Sequence, residues 1–148
     1  MIRFVDLFAG TGSVGIEALS RGAKFVRFID KNSQAIVTVR NNLKITGFLE
    51  SAEILQHDAL LELSRDPNLN FDYVYIAPPQ YKQIWEHALL MIDSEPSCLA
   101  PDAWVIAQIH PVEYVRLNPK NIFEFDRRKY GSTLPVFFER ESMSSANS

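Results

Sequence analysis

Asp6-Leu7-Phe8-Ala9-Gly10-Thr11-Gly12-Ser13-Val14-Gly15 joins a short apolar run, Ile2 to Phe8, to a stretch of helical period, Ser13 to Arg21. A β-branched run that stops at a glycine turn and resumes as a helix is the opening of a βαβ unit. Gly10 and Gly12 permit a sharp turn and a close approach of backbone to ligand, because no Cβ intervenes. The helix opening at Ser13 offers unpaired N–H groups to a carboxylate or phosphate. In an open α/β sheet, this turn at the carboxyl end of a strand is where ligands bind.

The alternation continues outward from there. Lys24 to Ile29 reads as a second strand closed by Asp30, and Asn32 or Ser33 caps a helix running through Ile45, with Ile36, Val39 and Leu43 at helical spacing. Gly47 ends it. Ala52 to Leu55 is a third strand, Leu60 to Ser64 a short helix, and Phe71 to Ile76 a fourth strand cut off by Pro78 and Pro79. Tyr81 to Ile92 returns to a helical period, and Ala103 to Ile109 is a fifth strand. Ile122 to Lys129 and Thr133 to Arg140 flank Tyr130-Gly131-Ser132 as an antiparallel hairpin at one edge. The prediction is an α/β fold: a Rossmann-like, doubly wound, mostly parallel sheet with a C-terminal antiparallel hairpin. One domain covers residues 1–141, and the serine-rich 142–148 is a disordered tail.

Composition bounds the function. The chain has 148 residues, 47% hydrophobic and 22% charged, which suits one globular domain. No apolar run approaches the roughly 20 residues of a membrane helix, and Met1 to Phe8 lacks a basic n-region, so neither membrane nor secretion is expected. Cys98 is the only cysteine, which excludes an internal disulfide framework and a cysteine-based zinc cluster. No residue cluster suggests a metal. A cytoplasmic monomer is the expectation. The net charge of -3 argues against coating nucleic acid by bulk electrostatics.

Asp30 falls about twenty positions after Gly10, where a carboxylate takes the ribose hydroxyls of an adenosine ligand, with Lys31 beside it. On spacing alone, Gly10-x-Gly12-x-x-Gly15 with Asp30 fits NAD as well as S-adenosylmethionine. Asp6 bears on the choice. An acid just before the turn repels a pyrophosphate and suits a ligand carrying an ammonium and a sulfonium. The bland alternative is a tight turn with a solvated acid. Asp58-Ala59 follows the third strand, where the acid can accept from an adenine amino group and the next N–H faces the ring; alone, Asp58 is a helix cap. Glu17 and Arg21 read as a surface ion pair, and His110 as a structural histidine. Arg116, Lys120, Arg127, Arg128 and Lys129 form either a basic rim near the C-terminal end or a solvated charged strand and turn.

Asp6 to Ser13, Gly15 to Ala23, Asp30, Asn41-Asn42-Leu43, Asp58-Ala59, Pro78-Pro79 and the closing Tyr130-Gly131-Ser132-Thr133 together resemble the RsmD family. The resemblance runs from Ile2 to about Arg140. It implies a class I S-adenosylmethionine-dependent methyltransferase acting on the exocyclic N2 of a guanine in ribosomal RNA or an assembling small subunit. It implies donor-binding roles for Asp6, Phe8, Ala9, Gly10, Thr11, Gly12, Asp30, Lys31, Asp58 and Ala59, and catalytic roles for Ala77, Pro78, Pro79, Gln80 and Tyr81. Two departures stand out. The family's motif is an Asp or Asn, then Pro-Pro, then an aromatic; here Ala77 stands for the acid and Gln80 for the aromatic, with Tyr81 next to it. Family members also carry a segment before the first strand, so this chain reads as a truncated product, a mis-assigned start or a reduced form. Weakened transfer is expected, with a non-catalytic donor- or RNA-binding descendant as the alternative. An NAD-dependent oxidoreductase or a methyltransferase acting on a protein amide is the more distant rival.

Overall fold

The computed structural model describes residues 2–62, 69–79 and 83–141. Five parallel strands come first: β1 (Arg3–Leu7), β2 (Phe25–Asp30), β3 (Ala52–Gln56), β4 (Phe71–Ile76) and β5 (Leu99–Ile109). Helices α1 (Ser13–Ser20), α2 (Ser33–Thr46), α3 (Ala59–Glu62) and α4 (Ile84–Ser94) cross between them, and β6 (Ile122–Arg127) and β7 (Leu134–Arg140) close the chain. The sheet runs β3-β2-β1-β4-β5-β7-β6, parallel except for β7 against β5 and β6. The expected hairpin is present, but its last strand slips inward between β5 and β6, leaving β6 at the edge. The order reverses between β2-β1 and β4, the switch point at which such sheets bind ligands.

Each face has its own core. Leu19 of α1 and Val39 and Leu43 of α2 pack with Phe4, Val26, Phe28 and Tyr75. On the opposite face Trp85, Ala88, Leu89 and Ile92 of α4 pack on Val5, Leu7, Val74, Ile76 and Val105. Alternate strand residues therefore feed opposite layers, as the pleat requires. From β4 outward, the α1/α2 face carries Tyr73, Trp104, Phe125 and Phe137 in ring contacts with centroids 5.1 to 6.3 Å apart.

Local signals explain most boundaries. Asn32 caps α2 by accepting from Gln34 and Ala35 N–H, an arrangement worth about 1 kcal/mol. Gly47 ends that helix with φ 81°. β5 begins at Leu99, earlier than periodicity suggests, because the chain enters it through a kink at Pro101-Asp102 where Asp102 has φ 62°. Buried Asp93 accepts from Lys120 and Asn121 N–H, pinning the entry to β6. α4 begins at Ile84 rather than Tyr81, and Ser64, Tyr81 and the 142–148 tail lie outside the described residues.

Candidate active site

The carboxyl ends of β1 to β4 open onto one cleft of about 770 Å³. Its walls include Phe8, Gly10 and Thr11 from the glycine turn, Asp30 and Lys31 after β2, Asp58 and Ala59 after β3, and Ala77, Pro78 and Pro79 after β4. Residues distant in sequence and singled out from it thus meet around one cavity. Asp6, Ala9 and Gly12 are buried and do not form its wall: Asp6 lies beneath the turn, and Ala9 and Gly12 lie within it. Gln80 and Tyr81 lie outside the described residues.

The turn is held from several directions. Gly10 has φ 59° and Gly12 φ 80°, conformations that side chains resist. Asp30 Oδ2 accepts from Gly10 N–H at 3.0 Å, and its Oδ1 from Asn32 N–H at 2.9 Å. Each oxygen retains acceptor capacity for a ligand hydroxyl. Asn42 reaches across from α2, its Nδ2 donating to Thr11 O at 2.9 Å. Phe8 adopts φ 62°, a strain of about 1–3 kcal/mol for a bulky residue, and lines the cleft. Residue order carries no sign of that strain.

Gly15 has another duty. A Cβ there would lie 2.3 Å from Phe28 Cε1 and 2.9 Å from Val26 Cγ1, so this glycine seats α1 on β2. Around Gly10 a Cβ would meet open space within 4 Å. The first glycine faces ligand and the third faces core.

Asp6 is 2% exposed. It accepts a hydrogen bond from Gly15 N–H, and its Oδ2 has no partner among the described residues. Burial, opposed by that N–H and reinforced by the Asp30 charge, pushes its carboxyl up to about 8. Asp6 therefore acts on the cleft from beneath, through the turn and the start of α1. Asp58 both caps and lines: Oδ1 accepts from Leu60 N–H at 2.9 Å, while the residue stands in the cleft wall.

A smaller cavity of about 190 Å³ shares Ala77 and Pro78 with the main cleft. Gln108, Ile109, His110, Glu113, Ser132 and Thr133 complete it. His110 has the structural job expected of it: Nδ1 accepts from Val112 N–H at 3.1 Å, and its own backbone N–H meets Glu113 Oε2 at 3.3 Å. The Tyr130–Thr133 turn closes by reciprocal backbone bonds of 2.8 and 3.0 Å, which brings Ser132 and Thr133 to the cavity. Sequence reasoning passed over Gln34, Thr38 and Ile84 in the large cleft, and Gln108 in the small one.

The basic residues are partly engaged by neighbours. Arg127 pairs with Glu124 at 3.4 Å and lies 4.4 Å from the Tyr114 ring centroid, and Arg128 pairs with Asp126 at 2.9 Å. Glu17 and Arg21 form the expected exposed pair at 2.7 Å. Among the described residues no His, Cys, Asp and Glu group suits a metal ion, and no helix is long and apolar enough to cross a membrane.

The chain is similar to known proteins. The family model described as "Conserved hypothetical protein 95" matches residues 1–139. YlbH of Bacillus subtilis is 37% identical over 108 residues, covering 72% of this chain and 58% of that protein. Ribosomal RNA small subunit methyltransferase D of Haemophilus influenzae is 33% identical over 106 residues, covering 70% of this chain and 54% of that one. The chain spans about half the length of the curated relatives it matches. Among solved structures, HI0767 from Haemophilus influenzae superposes with TM-score 0.83 at 26% identity, over 95% of this chain and 87% of that one. A SAM-dependent methyltransferase from Agrobacterium tumefaciens shares the fold with TM-score 0.69 at 16% identity, over 95% and 56%. The fold is that of the class I methyltransferases.

Proposed function

Since the chain belongs to the RsmD family, we propose that it is a methyltransferase that binds S-adenosylmethionine in the main cleft and methylates the exocyclic N2 of a guanine in small-subunit ribosomal RNA. The observation that carries this reading is the meeting of two cavities at one turn. Ala77 and Pro78 belong both to the 770 Å³ cleft and to the 190 Å³ pocket beside it. A donor in one and a base in the other would meet there.

The residues fit the donor. Asp30 offers two oxygens to a ribose, Asp58 stands where an adenine amine needs an acceptor, and Ala59 and Leu60 add apolar surface. Asp30 and Asp58 outweigh Lys31 along the wall. That balance favours a cationic ligand over a pyrophosphate, and so S-adenosylmethionine over NAD. The donor, when bound, supplies an electrophilic methyl on a sulfonium.

The protein's part is placement. Transfer to an aromatic amine demands in-line approach, and orienting the two partners is the larger share of the work. The guanine amine's lone pair is delocalised into its ring, so acceptors for its hydrogens help it toward an attacking shape. The Pro78 carbonyl is the acceptor that the turn retains. A carboxylate at position 77 would add a charge-assisted bond, and its absence costs about 10²- to 10³-fold in rate by analogy with other single electrostatic groups. The base must also leave its stack unless it already lies in a loop.

Ala77 favours a second reading, a protein that holds donor or RNA without transfer. Labelled methyl transfer separates the two. The chain is incubated with labelled S-adenosylmethionine and small subunits lacking the modification, and the RNA is digested to nucleosides. Label in N2-methylguanosine supports the first reading. Donor binding with no labelled nucleoside supports the second.

A further inference from the structure

We propose that Gln108 is a substrate-positioning residue, whose side-chain Nε2 donates to the ring nitrogen N3 of the target guanine while the Ala77-Pro78 turn holds the neighbouring amine. This rests on the guanine reading above and deepens it.

Register places Gln108. Ile76 pairs with Ala107 across the β4–β5 ladder, so the next residues in each chain, Ala77 and Gln108, lie side by side where the strands end. Ala77 projects only a methyl group, and the amide beside it lines the same small pocket. Among the described residues, a polar side chain beside the place of the family's acid thus comes from the neighbouring strand.

The orientation of the amide follows from Tyr75. Its hydroxyl donates to Gln108 Oε1 from the strand beside it. Burial first, and the nearby Asp6 second, push the Tyr75 phenol up to about 12, so it remains a protonated donor. With Oε1 occupied by that proton, the amide's two N–H groups are on Nε2, which has no partner among the described residues. Gln108 is exposed, at the mouth of the pocket. Two other polar residues there are engaged locally: Glu113 accepts from the His110 backbone, and the His110 ring accepts from Val112. Gln108 therefore presents a fixed donor to whatever enters.

A donor at that place selects one edge of the base. The guanine amine is flanked by N1, which carries hydrogen, and by N3, which carries a lone pair. Acceptors from the turn match the amine, and the Gln108 donor matches N3 and is mismatched with N1. A guanine so held presents its amine from the N3 side.

The test uses the full chain with S-adenosylhomocysteine present and two otherwise identical RNA oligonucleotides, one with guanine and one with 3-deazaguanine at the target. Equilibrium binding is measured for the unmutated chain, Gln108→Leu and Tyr75→Phe, and donor affinity is measured separately. Gln108→Leu is expected to weaken binding of the guanine oligonucleotide by about tenfold, the scale of one well-placed hydrogen bond. The 3-deaza substitution should weaken the unmutated chain similarly and leave Gln108→Leu unaffected, because the two changes remove one interaction. Tyr75→Phe should lie between, with donor affinity unchanged. Additive losses from the base and side-chain changes, or equal binding of both oligonucleotides by the unmutated chain, overturn the proposal. Because binding is the readout, absence of methyl transfer by the unmutated chain would count against the proposed function, while the role of Gln108 is decided by these oligonucleotides.

Discussion

The two halves of the cleft are built differently. On the proposed donor side, between β1 and β3, backbone and carboxylates are locked together: Asp30 holds Gly10 and Asn32, Asn42 holds Thr11, and Asp58 caps the segment it borders. On the proposed acceptor side, beyond β4, the family's acid is absent and Ala77 shares a cavity with polar side chains from β5 and the β6–β7 turn. The donor side is cross-linked by side chain–backbone bonds between neighbouring βα units. An acceptor site assembled from separate strands can lose one group and still be shaped by its neighbours. On the function proposed above, donor binding survives intact here and the transfer rate is what has been given up.

The largest expected effect lies beneath the donor half. Asp6 titrates near 8 in the folded chain against an ordinary value of 3.8. Between those values the folded protein retains a proton that the unfolded chain has lost, so stability falls as pH rises through the window. The total is of order several kcal/mol. Asp6→Asn cannot ionise, so melting scans should show the unmutated chain losing several degrees from about pH 5 to about pH 9 while the variant stays nearly flat. Parallel curves would mean that the carboxyl is solvated or already paired with a cation.

Next comes Asp30, the residue on which the donor half turns. Asp30→Ala should weaken S-adenosylmethionine binding by about 10²-fold or more, since two charge-assisted hydroxyl contacts disappear. Calorimetric titration beside a melting scan checks it; a loss of only a few fold in a folded variant would break the asymmetry between the halves. Gly15→Ala should act on packing, costing about 1–3 kcal/mol as Phe28 is pushed aside. Denaturant unfolding measures that cost, and no loss would mean that α1 shifts freely on β2.

The fold was legible because its signals are local and repeated. β1, the glycine turn and α1 announce themselves within the first twenty or so residues, and β2 with Asp30 and α2 with Asn32 repeat the rhythm. The donor half was legible for the same reason: each of its residues follows a strand whose end the sequence marks. What residue order hides is anything set by lateral register. Gln108 was passed over because its partner Tyr75 lies 33 positions away, and only pairing of β4 with β5 joins them. The insertion of β7 beside β5 was hidden likewise, since a hairpin pattern does not say which of its strands faces the sheet. Phe8 was placed in the site by resemblance, but its left-handed backbone comes from the turn around it. Residue order also does not show what Gly15 packs on: a Cβ there would strike Phe28, the close helix–strand contact that the third glycine of such a fingerprint permits.

An intact donor half beside an acceptor half weakened at a single position has one direct kinetic consequence. Single-turnover methyl transfer to small-subunit RNA, with donor saturating, should be measured for the unmutated chain and for Ala77→Asp. Ala77→Asp should be faster, by up to about 10²- to 10³-fold, with unchanged donor affinity. An equal or lower rate in a well-folded variant would contradict the weakening at position 77.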